Sequence, residues 1–167
     1  GFLRAIEEHR VTRAYLTPPV VLALANDPIV DQFDLSSLQV ITSGAAPLSA
    51  DLIQRCRERL NCRIIQASGM TETSPATHSQ LATDPQPLLG SIGTCVPNTE
   101  CKVVDVETGA ELGPDQQGEL WIRGPQVMKG YLNRPDATAA MLDVDGWLHT
   151  GDLGFANVAG DFFLICR

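Results

Sequence analysis

Two short apolar runs, Leu38–Thr42 and Arg63–Gln66, flank a segment with helical periodicity. That alternation restricts the fold more than any other feature of the chain. Ser49 is placed to cap a helix reaching about Leu60, with Leu52, Ile53, Cys56 and Leu60 on its apolar face. Gly44–Pro47 is the turn that joins strand to helix. Strand, helix and strand at this spacing predict a βαβ unit, whose strands run parallel because the helix carries the chain back. Upstream, Val11–Leu16 is short and β-rich. Pro18-Pro19 then opens a helix to about Asn26, because proline in the first turn lacks only an N–H that would be unpaired anyway. Asp27-Pro28 ends it.

The pattern changes after Pro85. Glu100–Val106 and Gly118–Arg123 alternate and predict antiparallel partners, with turns at Thr108-Gly109 and Gly113-Pro114. Asp136–Leu142 reads as a short helix. Asp152–Phe155 and Asp161–Ile165 read as a hairpin around Asn157–Gly160. The expected fold class is α/β, a parallel βαβ sheet segment followed by an antiparallel β-rich, distorted barrel-like subdomain. Its expected parts are residues 1–86, 87–150 and 151–167.

Composition narrows the function classes. A net charge of −8 opposes a nucleic-acid or anionic-membrane surface. The apolar runs are too short for membrane insertion. The five cysteines form no C-x-x-C pair and suit free thiols in a reducing compartment.

The strand Arg63–Gln66 runs into Gly69-Met70-Thr71-Glu72. Open α/β sheets bind ligands beyond the carboxyl ends of their strands. There Thr71 can donate to a phosphate and Glu72 can hold a divalent cation, which prefers oxygen ligands. A second polar segment, Asp145-Gly146-Trp147-Leu148-His149-Thr150-Gly151-Asp152, follows much later in the chain.

With Thr42–Leu48 and Gly118–Pro125, these two segments make the chain resemble the adenylate-forming enzymes. That group includes acyl-CoA synthetases, 4-coumarate–CoA ligases, beetle luciferases and peptide-synthetase adenylation domains. Val96–Glu100 and Met128–Asn133 lean toward the 4-coumarate–CoA ligase branch. The resemblance implies ATP (and AMP), Mg²⁺ and coenzyme A, with a small-molecule carboxylic acid as substrate. The acid and ATP give an acyl-adenylate and pyrophosphate, and coenzyme A then takes the acyl group as a thioester.

Roles follow from the same resemblance. Thr71 and Glu72 are the catalytic candidates, Glu72 being also the metal ligand. Gly44, Ala45, Ala46 and Pro47 would lie against the adenine, with Ser68, Gly69 and Met70 completing the nucleotide wall. The family usually has an aromatic at the position of Ser68; serine loses a stack worth ~1–3 kcal/mol. Asp152 would accept the ribose hydroxyls, and Arg167 would add a ribose or phosphate contact. Gln66 and Ala67 are the acyl-pocket candidates. The family's Ser/Thr/Gly-rich phosphate loop ending in Lys-Gly and its lysine-bearing lid are expected to lie outside these residues, so the chain corresponds to about the last third of the large N-terminal domain. By itself it is expected to be inactive, and its parent protein cytoplasmic. Two alternatives remain at this stage: an adenylating relative with another acceptor, and a non-catalytic nucleotide-binding or interaction fragment.

Other polar residues read as structural. His149 is expected to support the segment before Asp152, His78 to be a structural residue after the Glu72 loop, with a place beside the acyl channel as its alternative, and His9 to lie on a surface helix. Trp121 and Trp147 read as packing residues. Glu119 and Arg123 share a strand face and predict ion pairs with a neighbouring strand.

Overall fold

A computed structural model describes residues 1–84 and 86–166. They fall into two compact units, one of residues 1–67 with 80–90, the other of residues 68–79 with those from 91 onward. Arg167, expected to contact a nucleotide, lies outside the described residues.

The first unit contains α1 (Phe2–His9), β1 (Arg13–Leu16), α2 (Pro18–Asn26), β2 (Val40–Ser43), α3 (Ala50–Leu60) and most of β3 (Arg63–Gly69). β1, β2 and β3 are parallel, with Ala14, Ile41 and Ile64 in register. The predicted caps form. Ser49 accepts from the Leu52 N–H, and the chain leaves α3 through Asn61 in the left-handed region, φ 49°. Val21 and Leu24 of α2 and Leu52, Ile53 and Cys56 of α3 are buried against the strands, each large side chain contributing about 1.5–3 kcal/mol. Arg59 closes the C-terminal end of α2 by donating to Leu24 O and Asp27 O, at 3.2 and 2.8 Å. The Leu24 carbonyl has no partner within the helix, because residue 28 is a proline and lacks an N–H. β2 starts two residues later than the apolar pattern suggests, because the Leu38 N–H is turned back to Leu35 O.

The second unit holds the antiparallel pair β4 (Ala76–Ser79) and β5 (Thr94–Cys95), with His78 opposite Cys95. It also holds β6 (Glu100–Val104), β7 (Gly118–Arg123), α4 (Pro135–Met141), β8 (Leu148–Ala156) and β9 (Phe162–Cys166), whose strands form an antiparallel sheet in the order β6-β7-β8-β9. Irregular register in β8 accompanies the curl of this sheet, so the α/β class with a distorted antiparallel sheet holds. Gly118, Leu120 and Ile122 of β7 point inward, and Glu119, Trp121 and Arg123 alternate with them.

Trp121 stacks on His149 with centroids 3.7 Å apart, and Lys102 and Arg123 each lie 4.4 Å from the Trp147 ring. Both indoles are thus occupied by packing and cation–π contacts, in line with their reading as packing residues. Arg123 makes the expected cross-strand ion pair, bidentate to Glu100. Glu119 does not; its carboxylate accepts N–H groups instead, as described below. No helix among the described residues is long and apolar enough to cross a membrane.

Candidate functional site

β3 ends at Gly69 in a sharp reversal. A Cβ there would sit 1.8 Å from Pro75 O, so only glycine fits. The Met70 N–H donates to Pro75 O at 2.9 Å and to Thr73 Oγ1 at 3.1 Å. Thr73 is fully buried and pins the reversal from inside. The 3₁₀ turn Thr71–Thr73 then leaves Thr71 exposed and Glu72 half-buried. Two bonds from one loop fix Glu72: Tyr131 Oη donates to its Oε1 at 2.7 Å, and the Met128 N–H donates to its carbonyl at 2.7 Å.

Asp152 is positioned by a bulge. Trp121 pairs with His149 and Glu119 with Leu153, so Thr150, Gly151 and Asp152 face Leu120 alone. Gly151 takes φ 72°, which a β-carbon would oppose. Glu119 holds the bulge: Oε1 accepts the Gly151 N–H at 2.7 Å and Oε2 the Trp121 indole N–H at 2.8 Å. Thr150 Oγ1 donates to Leu120 O at 2.7 Å and accepts the Asp152 N–H at 3.0 Å. Bulges re-aim side chains in this way near binding sites.

A narrow cleft results within the second unit. Ser68, Gly69, Met70, Thr77, Thr150 and Asp152 supply its polar and backbone edge, over an apolar floor that includes Ile92, Leu120 and Ile122. Below the bulge, His149 Nε2 lies 3.5 Å from Asp143 Oδ2. Burial works to raise Asp143, but the Trp147 and Asp145 N–H groups and His149 outweigh it and hold the carboxyl below its usual range. His149 stacks on Trp121 and so packs at the start of β8 as a structural residue.

The remaining predicted residues belong to the first unit. Gly44 follows β2, and a Cβ there would come no closer than 3.5 Å to Ala67 O. Ala45 is left-handed at φ 76°, and Ala46 and Pro47 are exposed. Gln66 is 3% exposed; its amide oxygen accepts the Leu48 N–H at 2.8 Å, holding the end of the Gly44–Pro47 turn.

The family of AMP-binding enzymes matches this chain over residues 1–132. The chain belongs to the AMP-binding enzyme family. A 4-coumarate–CoA ligase of Oryza sativa subsp. japonica is 51% identical over 171 residues, covering 100% of this chain and 30% of that protein. One of Arabidopsis thaliana is 47% identical, with coverage of 100% and 30%. Among solved structures, an amide bond synthetase from Marinactinospora thermotolerans matches at TM-score 0.87 and 33% identity, over 98% of this chain and 33% of that one. ATP-bound MatB from Rhodopseudomonas palustris matches at TM-score 0.89 and 28% identity, over 99% and 32%. The chain thus spans about 30% of the length of the curated relatives it matches.

Within that family frame, the sequence reading missed Tyr131, Met128, Glu119 and Thr77. Met128 and Tyr131 lay inside a stretch noted only for likeness, and nothing local signals that they reach back to Glu72. Glu119 showed as an alternating strand residue, and its partners depend on the bulge.

Proposed function

We propose that the chain forms the adenylate-facing part of an ATP-dependent acid–thiol ligase of the 4-coumarate–CoA or acyl-CoA type. The observation that carries this reading is that Gly69 and Met70, at the end of a strand, line one cleft with Asp152, from a distant bulge. A carboxylate that can accept from both hydroxyls of a vicinal diol, opposite a strand-end turn, suits a ribose and its phosphate. Asp152 accepts from the ribose. Thr71 donates to the phosphate. Ser68, which lines the same cleft, offers the base no aromatic face. The protein's task is to hold a carboxylate oxygen in line with the α-phosphate and to offset the charge that builds there.

Glu72 fits Mg²⁺. Its carboxylate is a hard oxygen donor fixed by Tyr131. Among the described residues no group of three or more His, Cys, Asp or Glu gathers to hold a metal. Glu72 would therefore serve as one ligand among phosphate and water oxygens, the usual arrangement for this ion. When bound, the ion screens phosphate charge from the incoming carboxylate.

Coenzyme A is the proposed acceptor, on the strength of the 51% identity to a CoA ligase. An amine acceptor is the second reading, because an amide bond synthetase is 33% identical. The free thiols Cys56, Cys62, Cys95 and Cys101 support a reducing, cytoplasmic setting.

The 167 residues alone are expected to bind adenylate without turning over, since they carry no Ser/Thr/Gly-rich loop ending in Lys-Gly. Titration with a non-hydrolysable acyl-adenylate tests the reading: the melting temperature rises in the wild type and not in Asp152→Ala. Equal shifts in both, or none, would contradict the assigned site. Pyrophosphate exchange by the chain alone would contradict its inactivity.

A further inference from the structure

Glu72 is held by a strut that begins in α4. Thr138, in the middle of that helix, accepts the Tyr131 N–H on Oγ1 at 2.9 Å and donates from the same atom to Arg134 O at 2.9 Å. The Arg134 N–H donates to Tyr131 O at 3.1 Å. Tyr131 is thus tied to the start of α4 through both its backbone groups. Gly130 permits the close approach: at φ 142° a Cβ there would lie 2.7 Å from Thr138 Cγ2.

From this fixed backbone the Tyr131 side chain reaches Glu72, where Oη donates to Oε1 at 2.7 Å. The Met128 N–H, from the same loop, holds the Glu72 carbonyl at 2.7 Å. One loop therefore sets both the backbone and the carboxylate of Glu72. Both Tyr131 and Glu72 are half-buried, which shields their bond from competing water.

The two common hard cations meet a carboxylate differently. Ca²⁺ is large, takes about six to eight oxygens in a flexible shell and readily grips both oxygens of one carboxylate. Mg²⁺ is small and demands a near-ideal octahedron, into which the narrow bite of two carboxylate oxygens does not fit. At Glu72, Oε1 is already the acceptor of a phenol proton. Turning the carboxylate so that both oxygens face one ion takes Oε1 off Tyr131, or divides it between proton and cation and weakens both bonds.

We propose that Tyr131, braced by Thr138, is a positioning residue that limits Glu72 to one-oxygen coordination and so makes the site select Mg²⁺ over Ca²⁺. The proposal rests on Glu72 as the metal ligand of the adenylate site. Tyr131 acts through the Glu72 carboxylate, not by binding the ion itself.

ATP titrations of the 167-residue chain, followed by amide nuclear magnetic resonance with saturating MgCl₂ or CaCl₂, test this. The readout is the ratio of the two apparent Kd values for ATP. A general loss of stability does not move that ratio, because both titrations use the same protein. In the wild type ATP should bind at least ~5-fold more tightly with Mg²⁺ than with Ca²⁺. Tyr131→Phe keeps the ring and removes the hydroxyl; it should bring the ratio to within ~2-fold, chiefly by tightening binding with Ca²⁺. Thr138→Val removes the brace without touching Glu72 and should give an intermediate ratio. A wild type with no Mg²⁺ preference would overturn the proposal. So would a wild-type ratio in Tyr131→Phe, provided that Glu72→Gln abolishes the preference; in that case Glu72 stands as metal ligand and only the role of Tyr131 falls. A preference that survives Glu72→Gln removes Glu72 as the ligand, and the proposal with it. Amide spectra report whether each variant is folded, and Thr138→Val decides the matter if Tyr131→Phe is not.

Discussion

The first unit buries aliphatic side chains around parallel strands, and among the described residues its buried polar groups are Ser43, Gln66 and Gln80. The second unit buries Thr73, Thr77, His78, Ser91 and Thr150, most of them beside the cleft or the turn that shapes it. The difference teaches where information sits in this chain. Stability in the first unit comes from apolar area, which is tolerant of detail. The site in the second unit depends on individual hydrogen bonds and backbone reversals, each of which a single atom can break.

The largest expected effect lies in the first unit. Ile41 is fully buried at the centre of the parallel sheet, and Ile41→Ala should cost about 2–5 kcal/mol in urea unfolding while leaving the cleft geometry unchanged. A loss confined to the cleft would break the comparison. Next in size is a pair of glycines. Gly69→Ala forces a Cβ against Pro75 O, at 1.8 Å, and should cost about 1–3 kcal/mol or more. Gly44→Ala meets nothing closer than 3.5 Å and should stay within ~0.5 kcal/mol of the wild type. Equal costs for the two would show that the Gly69 reversal is not the tight point.

A smaller effect probes the bulge. In Glu119→Gln one of two N–H donors, Trp121 or Gly151, loses its acceptor. The expected loss is about 1–2 kcal/mol, with nuclear magnetic resonance shifts spreading from Gly151 to Asp152. The smallest effect is Glu100→Gln. Its partner Arg123 is hydrogen-bonded to it, but the pair is exposed, so unfolding should be indistinguishable from that of the wild type.

Much of the fold was legible because it rests on periodicity and caps. The α2 helix begins at Pro18 and ends at Asn26 as Pro18-Pro19 and Asp27-Pro28 dictate. Ser49 caps α3 through the Leu52 N–H. β4 was invisible, since Ala-Thr-His-Ser has no apolar alternation and is ordered by pairing with β5 and by the Thr77 bond to Ser68. The strand expected from Asp152 proved to begin at Leu148, as β8, because a bulge in a paired strand has the same local composition as a turn. The Tyr131–Glu72 bond joins residues 59 apart in sequence, a separation at which no local pattern carries information.

The central claim is that AMP occupies the cleft between the Gly69 reversal and the Asp152 bulge. Amide nuclear magnetic resonance of the chain during an AMP titration to ~10 mM would detect even millimolar affinity. Saturable shifts centred on Ser68, Gly69, Met70, Thr77, Gly151 and Asp152, and absent in Asp152→Ala, are the predicted result. Shifts that leave these six residues untouched, or no saturable shift at all, would contradict it.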